Sequence, residues 1–427
     1  MEVVGKRIHI IDSLIILLNL SNSYSIVPYL LFHQHHRAVN TGLIFIINII
    51  YLLYRFKFVV GVPKASLFRI YVLICAVNVF SSAVTSTGFF LPWLYLLANA
   101  SLFVLLYNFY YEYQNDYDRK TSIWLILRGY IWLVAICITG ALLLFFLMKL
   151  GLNPYQNEIS SSMDLFDANV KQFNTEHYFP YHLSIILKDV TDVGKMPFFN
   201  ENGIICGIYH EPHIITFMVF PALFFLYAFV ESNKTKTILF LIWIFVMLMT
   251  TSTMNIIAFT VCCFVLLGYS KGGKIMLIPL SAILGILILY IGLENTELFF
   301  IIDKLEGGSM DYSLQMIKFA FTPKTLIGSN FMATDYLQQA EISRRDVGYI
   351  SFGFNILFLL FLYFKNLRLL LSDKFNKMLG LGVLYFMLHS MKVSMVAYTL
   401  SMLAFMMFVI SYSSKKLMNK ENDFPNN

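Results

Sequence analysis

A short string near the middle of the chain places one acid among two histidines and a proline. His210, Glu211, Pro212 and His213 follow a run of apolar residues. Proline inside a helix frees the carbonyl four residues earlier and kinks the chain, which makes room for polar groups. A carboxylate at such a break can act as a general base or hold a hydroxyl-rich substrate. The alternative interpretation is that the helix begins later and Glu211 only caps it. The histidines lack the i, i+4 spacing of a zinc protease, so we expect no metal.

Two adjacent arginines form the second candidate site. Arg344 and Arg345, followed by Asp346, stand where the chain returns to an apolar run. Because guanidinium groups bind phosphate through two parallel hydrogen bonds, the pair predicts recognition of a phosphate or pyrophosphate. Lys324 is a weaker candidate in the same segment. The alternatives are that the arginines reach lipid head groups, or pair with Asp346 or Glu341.

The composition indicates that a membrane must position these residues. Of 427 residues, 58% are apolar and 13% are charged, whereas a soluble domain has about 25% charged residues. A span needs about 20 apolar residues, so about twelve spans would use roughly 250 of them. We therefore predict an all-α polytopic membrane protein with about 12 transmembrane helices. This excludes a soluble enzyme, a nucleic-acid-binding protein and a disordered chain.

Basic residues in the short connections predict the orientation of the helices. The spans are predicted at 8–31, 40–56, 66–85, 88–110, 122–148, 204–230, 235–251, 253–269, 274–293, 347–364, 377–393 and 395–412. The short connections on one side hold many Lys and Arg residues, whereas those on the other side hold only Arg37 and Lys392. Cytoplasmic loops of membrane proteins carry the excess of Lys and Arg. We therefore expect both termini to be cytoplasmic.

Two long connections interrupt the pattern, and both fall on the extracytoplasmic side. Loops of this length are usually functional. The predicted divisions are helices 1–5 over 1–149, a first large loop over 150–203, helices 6–9 over 204–293, a second large loop over 294–346, and helices 10–12 with a tail over 347–427. In the first loop, Tyr178, Phe179 and Tyr181 are candidate surfaces for the faces of sugar rings.

Other polar residues inside the predicted spans are more typical of structural roles. Asp12 and Arg128 each lie within about two turns of a cytoplasmic end, where we expect their side chains to reach water. Residues between Thr250 and Asn255 match the Ser, Thr and Asn side chains that join membrane helices by hydrogen bonds.

The chain resembles the O-antigen polymerase family of bacterial inner membranes, which is related to the O-antigen ligases. The likeness rests on about twelve spans, on two large outer loops before the sixth and tenth spans, and on two strings. Residues 207–212 read Gly-Ile-Tyr-His-Glu-Pro and are similar to the family's Gly-x-Phe-x-Glu-Pro. A Thr/Ser cluster at 250–253 follows about one span later. The resemblance is strongest over 195–360.

The chain also departs from the family at two positions. The family often has an arginine shortly before its Glu-Pro string, whereas Lys195 is the nearest upstream base here. The arginine that follows the family's Thr/Ser turn is replaced by Met254.

The resemblance implies a GT-C-like glycosyltransferase of the inner (plasma) membrane. Such an enzyme joins undecaprenyl-pyrophosphate-linked oligosaccharide repeat units on the periplasmic side. It implies Glu211, Arg344 and Arg345 as catalytic residues. It implies a substrate-binding set of His210, His213, Lys195 and Lys324. We expect no cofactor and no nucleic acid; membrane lipid and a chain-length regulator protein are the candidate partners.

Two other functions compete with polymerisation. A flippase for the same lipid-linked sugars has a similar length and span count. The loops of such flippases are commonly short on both sides of the membrane, however, and their charged residues lie deep in a central cavity. An O-antigen ligase differs only in its acceptor, which the sequence does not distinguish.

Overall fold

The computed structural model is mostly helical. It describes residues 2–22, 25, 27, 36–56, 63, 65–85, 90–153, 158–160, 177–178, 184–187, 198–199, 201, 203–209, 212–250, 253–268, 349–390 and 400–413. In chain order the helices are α1 (Glu2–Ser21), α2 (His36–Phe56), α3 (Ser66–Thr85), α4 (Phe90–Asp116), α5 (Arg119–Lys149), α6 (Pro212–Val219), α7 (Pro221–Phe229), α8 (Asn233–Thr250), α9 (Thr253–Gly268), α10 (Tyr349–Leu370), α11 (Lys374–Ser390) and α12 (Leu400–Ser413). Four strands lie between α5 and α6, namely β1 (Glu158–Ser160), β2 (His177–Tyr178), β3 (Ile186–Leu187) and β4 (Ile204–Ile205).

Three of the described helices are long and apolar enough to cross a membrane, judged by length and composition. They cover Val39–Phe56, Arg119–Lys149 and Asn233–Thr250. Helices also occupy most of the other predicted spans that fall within the described residues. The count of about twelve spans stays a prediction, because 269–348 and 391–399 lie outside those residues.

The first two helices expose apolar side chains and bury polar ones. Exposed apolar residues on α1 are Ile10, Ile11, Leu14 and Leu18, whereas Asp12, Ser13 and Asn19 of the same helix are buried. On α2 the exposed apolar residues include Val39, Leu43, Ile46, Ile50 and Leu53, at the spacing of one helix face. Large apolar faces of this kind are rare on soluble proteins. They suit a helix that contacts lipid.

The core lies among the helices with few exposed residues. α4, α5, α7, α11 and α12 supply most of the fully buried aromatic and aliphatic side chains. α1 packs on α5, α2 and α12 pack on α4, and α7 packs on α11. Since sequence neighbours such as α4 and α5 are joined by a two-residue turn, they run in opposite directions. Asp118 caps α5 in that turn by accepting from the backbone N–H of Lys120 at 3.2 Å and Thr121 at 3.4 Å.

A glycine permits the close approach of α1 to α5. A Cβ atom at Gly129 would lie 2.9 Å from Cβ of Ile16 and would overlap the carbonyl oxygen of Ser13. Cβ atoms do not approach other atoms so closely. The interface between these helices therefore requires a residue without a side chain at position 129.

The four strands form an antiparallel sheet in the order β1-β2-β3-β4. Three of them fall within the first predicted loop, and β4 falls at the start of the sixth predicted span. The all-helical prediction is therefore incomplete, because it did not include this sheet. Strands of two or three residues carry too little alternation to be recognised in a sequence.

Candidate functional site

A stretch of buried, non-helical backbone precedes the predicted acid in the chain. Residues 204–209, here called the descending segment, begin as β4 and contain no exposed residue. The N–H of Cys206 donates to the carbonyl of Ile185 at 2.8 Å, and the N–H of Ile185 donates to the carbonyl of Gly207 at 2.5 Å. The descending segment thus forms hydrogen bonds with Ile185, directly before β3, rather than within a helix.

The descending segment lies beside the middle of α5. A Cβ atom at Gly207 would lie 4.0 Å from Cβ of Cys137, and the side chains of Tyr209 and Cys137 interact. Cys137 precedes Lys149 by twelve residues, which is about 18 Å along a helix. At membrane depth, non-helical backbone is tolerated only where protein surrounds it or where it lines a polar cavity.

Gly207 lies in a sharp turn within the descending segment. Its φ of +64° lies in the left-handed region, which glycine adopts without steric cost. A Cβ atom there would also lie 2.8 Å from Cδ1 of Ile215. Both the backbone conformation and the neighbouring helix therefore require glycine at the first position of the Gly-Ile-Tyr-His-Glu-Pro string.

The next helix begins at Pro212, not at residue 204 as predicted. The N–H groups of the first helical turn have no partner within the helix, so proline is well tolerated at its first position. The prediction that Pro212 kinks a helix is therefore wrong. The alternative interpretation, in which the helix begins later, agrees with the observed start at Pro212. The helix is instead interrupted at Phe220, where Pro221 begins α7. The hydroxyl of Tyr130 donates to the carbonyl of Met218 at 2.7 Å and holds the end of α6 against α5.

The predicted site residues lie largely outside the described residues. This applies to Lys195, His210, Glu211, Lys324, Arg344 and Arg345. The backbone of His213 belongs to α6, but its side chain is outside the description. The aromatic side chains of Tyr178, Phe179 and Tyr181 are outside it as well. The shared site for Glu211 and the two arginines therefore stays a prediction.

An aromatic and charged group that the sequence analysis missed lies at the end of α5. We call it the Phe198 cluster, formed by Phe145, Lys149, Phe198 and Glu201. The Lys149 ammonium lies 4.4 Å from the centre of the Phe198 ring and donates to Glu201 Oε2 at 3.0 Å. This hydrogen bond lowers the pKa of the Glu201 carboxyl below its usual value. The ring of Phe198 packs edge-on against Phe145, with centres 5.8 Å apart.

Phe198 is held in an unusual backbone conformation. Its φ is +69°, and it is the only residue other than glycine with a positive φ in the described part of the chain. Bulky residues rarely adopt this region, and such strain collects at functional positions. The N–H of Phe198 donates to Glu201 Oε1 at 2.9 Å, which closes the turn. The ring is held in this conformation with 54% of the residue exposed.

A buried carboxylate joins three helices at the other end of the bundle. We call this the Asp12 cluster, formed by Asp12, Tyr51, Arg55, Glu112 and Tyr113. The hydroxyls of Tyr51 and Tyr113 each donate to Asp12 at 2.6 Å. Arg55 lies 3.8 Å from Asp12 and donates to Glu112 at 2.6 Å. Within the cluster, the single guanidinium of Arg55 therefore faces two carboxylates, those of Asp12 and Glu112.

The expectation that Asp12 reaches water is wrong. Its side chain has no exposed surface, because α2 and α4 cover this face of α1. Arg128 of α5 is half-buried and donates to Ser13 Oγ at 2.9 Å and to the carbonyl of His9. The distance from a helix end was therefore a poor guide to exposure, since neighbouring helices decide it.

A second polar layer lies farther along α1. The side-chain amides of Asn19 and Asn48 bond each other reciprocally, both at 2.8 Å. Asn48 also donates to Ser101 at 2.9 Å, and Ser401 donates to the carbonyl of Asn19 at 2.6 Å. This layer joins α1, α2, α4 and α12. In the same way, the Tyr385 hydroxyl of α11 donates to Asn255 of α9, which confirms a joining role for that residue.

A spacing pattern in the sequence could have identified these polar groups. His9, Asp12, Ser13 and Asn19 recur at intervals of three, one and six residues and so share one face of α1. In a helix whose opposite face is apolar, that stripe must face other protein. The partners on α2 and α4 carry no comparable signal, because they are spread over 65 residues of sequence.

Comparison of the chain with protein-family models, with curated proteins and with solved structures finds no match.

Proposed function

We propose that this protein is an O-antigen (surface polysaccharide) polymerase of the bacterial inner membrane. It transfers a growing glycan from undecaprenyl pyrophosphate to the terminal sugar of another lipid-linked repeat unit on the periplasmic side. Glu211 is the general base, and Arg344 and Arg345 bind the pyrophosphate. His210, His213, Lys195 and Lys324 contact the substrate. A chain-length regulator protein is a candidate partner.

The observation that carries the proposal is the course of the chain before Glu211. The string that resembles the family motif coincides with the point where the descending segment turns at Gly207 and α6 begins at Pro212. Irregular backbone inside a helical membrane bundle is costly unless protein surrounds it or it lines a polar cavity. A polar site is the simplest physical reason for such a segment at the mid-height of α5.

The start of α6 adds an electrostatic argument. The N-terminus of a helix carries a partial positive charge and free N–H groups, which favour a nearby anion. α6 begins at Pro212, shortly after the descending segment, and Ile214 and Ile215 in its first turn are buried. A pyrophosphate group placed near that terminus would be stabilised by it, in addition to the proposed arginines.

The proposed reaction needs one base and several cations. An oxygen of the acceptor sugar attacks the anomeric carbon of the donor, and the bond from that carbon to the pyrophosphate oxygen breaks. The pyrophosphate leaves with the electron pair, and arginines stabilise its charge, an effect of about 3 kcal/mol per donor. Glu211 removes the proton of the acceptor hydroxyl as the new bond forms.

Substitution of the two kinds of site residue tests the proposal. Glu211→Gln and Arg345→Ala should each abolish long-chain surface glycan while the protein remains in the membrane. The matched controls are Glu231→Gln and Arg69→Ala, which change exposed residues that are not part of the proposed site. The glycan is separated on a gel, and protein abundance is measured by immunoblot. An unchanged ladder in both site variants would overturn the site assignment.

A lipid-linked oligosaccharide flippase is the second candidate function. The Asp12 cluster favours it, because carriers commonly bury charged residues among their helices. Deletion of the gene separates the functions. Loss of a polymerase leaves surface lipid with one repeat unit, whereas loss of a flippase or of an O-antigen ligase leaves none.

A further inference from the structure

We propose that the Phe198 cluster is a glycan-binding subsite for the sugar residues of the lipid-linked repeat unit. This inference rests on the proposed polymerase function and names one place where the glycan is held. It concerns Phe198, Lys149 and Glu201, which the sequence analysis does not assign to the site.

The three side chains offer the contacts that a sugar ring needs. Aromatic faces carry a partial negative charge, and the C–H groups on the face of a sugar ring carry a small positive one. Phe198 supplies such a ring with 54% of the residue exposed. The Lys149 ammonium lies over one face of this ring, 4.4 Å from its centre, and is hydrogen-bonded to Glu201. The side chains of Lys149 and Glu201 are 27% and 56% exposed. Sugar hydroxyls both donate and accept, so they can use both partners.

The pair keeps hydrogen-bonding capacity for a ligand. The Lys149 ammonium has three N–H donors, and one of them goes to Glu201. Each oxygen of Glu201 accepts one described hydrogen bond, from Lys149 or from the N–H of Phe198. A carboxylate oxygen has a second acceptor position. Polar groups held in fixed positions beside an apolar surface are typical of small-ligand sites.

The charge of the cluster favours sugar over phosphate or lipid tails. Lys149 is paired with Glu201 at 3.0 Å, so its positive charge is largely compensated. The carboxylate repels the phosphates of lipid head groups. A charged pair beside the ring is also a poor surface for an acyl chain, because burying it would remove its hydration. Neutral groups that are rich in hydroxyls, such as sugars, avoid both the repulsion by the carboxylate and the loss of hydration of the charged pair.

The backbone of Phe198 supports a role in binding. A phenylalanine with a φ of +69° is strained relative to Asn or Gly at the same position. The turn that closes on Glu201 would form more easily with one of these residues. A function of the aromatic ring would therefore explain why phenylalanine stands at this position.

The cluster is joined to the proposed catalytic position by the descending segment. Cys137, which lies beside Gly207, precedes Phe145 of the cluster by eight residues on α5. Eight helical residues correspond to about 12 Å. A glycan held at the cluster is thus positioned above the point where the chain turns toward Glu211.

Binding to the purified full-length protein tests the proposal without catalysis. The probe is the soluble repeat-unit oligosaccharide released by mild acid from the lipid carrier of the producing cells, titrated by calorimetry. Phe198→Asn removes the ring but suits the backbone conformation, so it should fold at least as well as the native protein. It should bind the probe about tenfold more weakly. Phe198→Trp should retain binding, and Glu201→Gln should weaken it.

The control is Leu150→Ala, which removes an apolar side chain of 83% exposure at the same end of α5. It should not change binding. Unchanged binding by Phe198→Asn overturns the inference, as does an equal loss of membrane insertion in Phe198→Asn and Leu150→Ala, which would indicate a lipid anchor. If binding depends on Phe198 but deletion of the gene does not leave surface lipid with one repeat unit, the polymerase function fails and the glycan subsite stands.

Discussion

The phenolic hydroxyl of Tyr113 donates a 2.6 Å hydrogen bond to the carboxylate of Asp12, although 101 residues separate them in the chain. The same carboxylate accepts from Tyr51 and lies 3.8 Å from Arg55. One acid thus connects α1, α2 and α4 without any exposure to solvent. This contact is the most direct indication of how the amino-terminal helices are held together.

Replacing Asp12 with Asn should destabilise the amino-terminal helices by about 3 kcal/mol, because it leaves buried partners without their anion. Tyr51 and Tyr113 would lose charge-assisted hydrogen bonds, and Arg55 would lose an ion pair at 3.8 Å. The measurement is unfolding in mixed detergent micelles, followed by circular dichroism. Asp116→Asn changes an exposed acid and should alter stability by less than about 0.5 kcal/mol. Equal stability of the two variants would show that the carboxylate charge is dispensable.

Gly129→Ala should weaken the packing of α1 on α5 by about 2 kcal/mol, since overpacking forces backbone shifts. The added methyl group would meet the carbonyl of Ser13 and the Cβ atom of Ile16. Gly268→Ala is the matched control, because no atom of the described residues lies within 4 Å of the added atom there. The same unfolding measurement applies. A stable Gly129→Ala protein would mean that the two helices can separate at little cost.

Gly207→Ala should disrupt the descending segment and reduce activity together with stability. Alanine is disfavoured at a φ of +64° by about 1 kcal/mol or more, and its methyl group would meet Ile215. We expect shorter or absent surface glycan from cells that carry this variant, with Gly268→Ala unaffected. A normal glycan ladder from Gly207→Ala would show that the turn before Glu211 does not need its observed geometry.

The Lys149–Glu201 pair should respond to acid in one direction only. The pKa of Glu201 is lowered in the folded protein by the hydrogen bond from Lys149. Its contribution is therefore complete above the pKa of an unfolded glutamate and is lost as the pH falls through the lowered folded value. Carbon NMR of labelled glutamate should show this low midpoint, with Glu201→Gln to assign the signal.

Lys149→Met provides the control for that titration. Without the ammonium, the midpoint of Glu201 should rise toward the usual glutamate value. A midpoint that does not move would mean that Lys149 and Glu201 are not paired in solution. Such a result would also remove one of the two polar contacts proposed for the glycan.

Much of the helical framework was predictable from the order of residues. Runs of apolar residues predicted helices where α4, α5, α8 and α9 are observed, because backbone groups away from water must bond within their own segment. The site was less predictable. Pro212 was expected to interrupt a helix and instead begins one, since a single proline is compatible with both positions.

Local chemistry therefore determined the membrane class and the positions of the long helices, because apolar length alone decides whether a segment can be a span. The tertiary fold decided which polar groups are buried together. Asp12, Arg55 and Tyr113 belong to three separate helices, and three strands lie between Lys149 and Phe198 in the chain. Contacts across such distances depend on how helices pack against each other, and no local pattern in the chain encodes that packing.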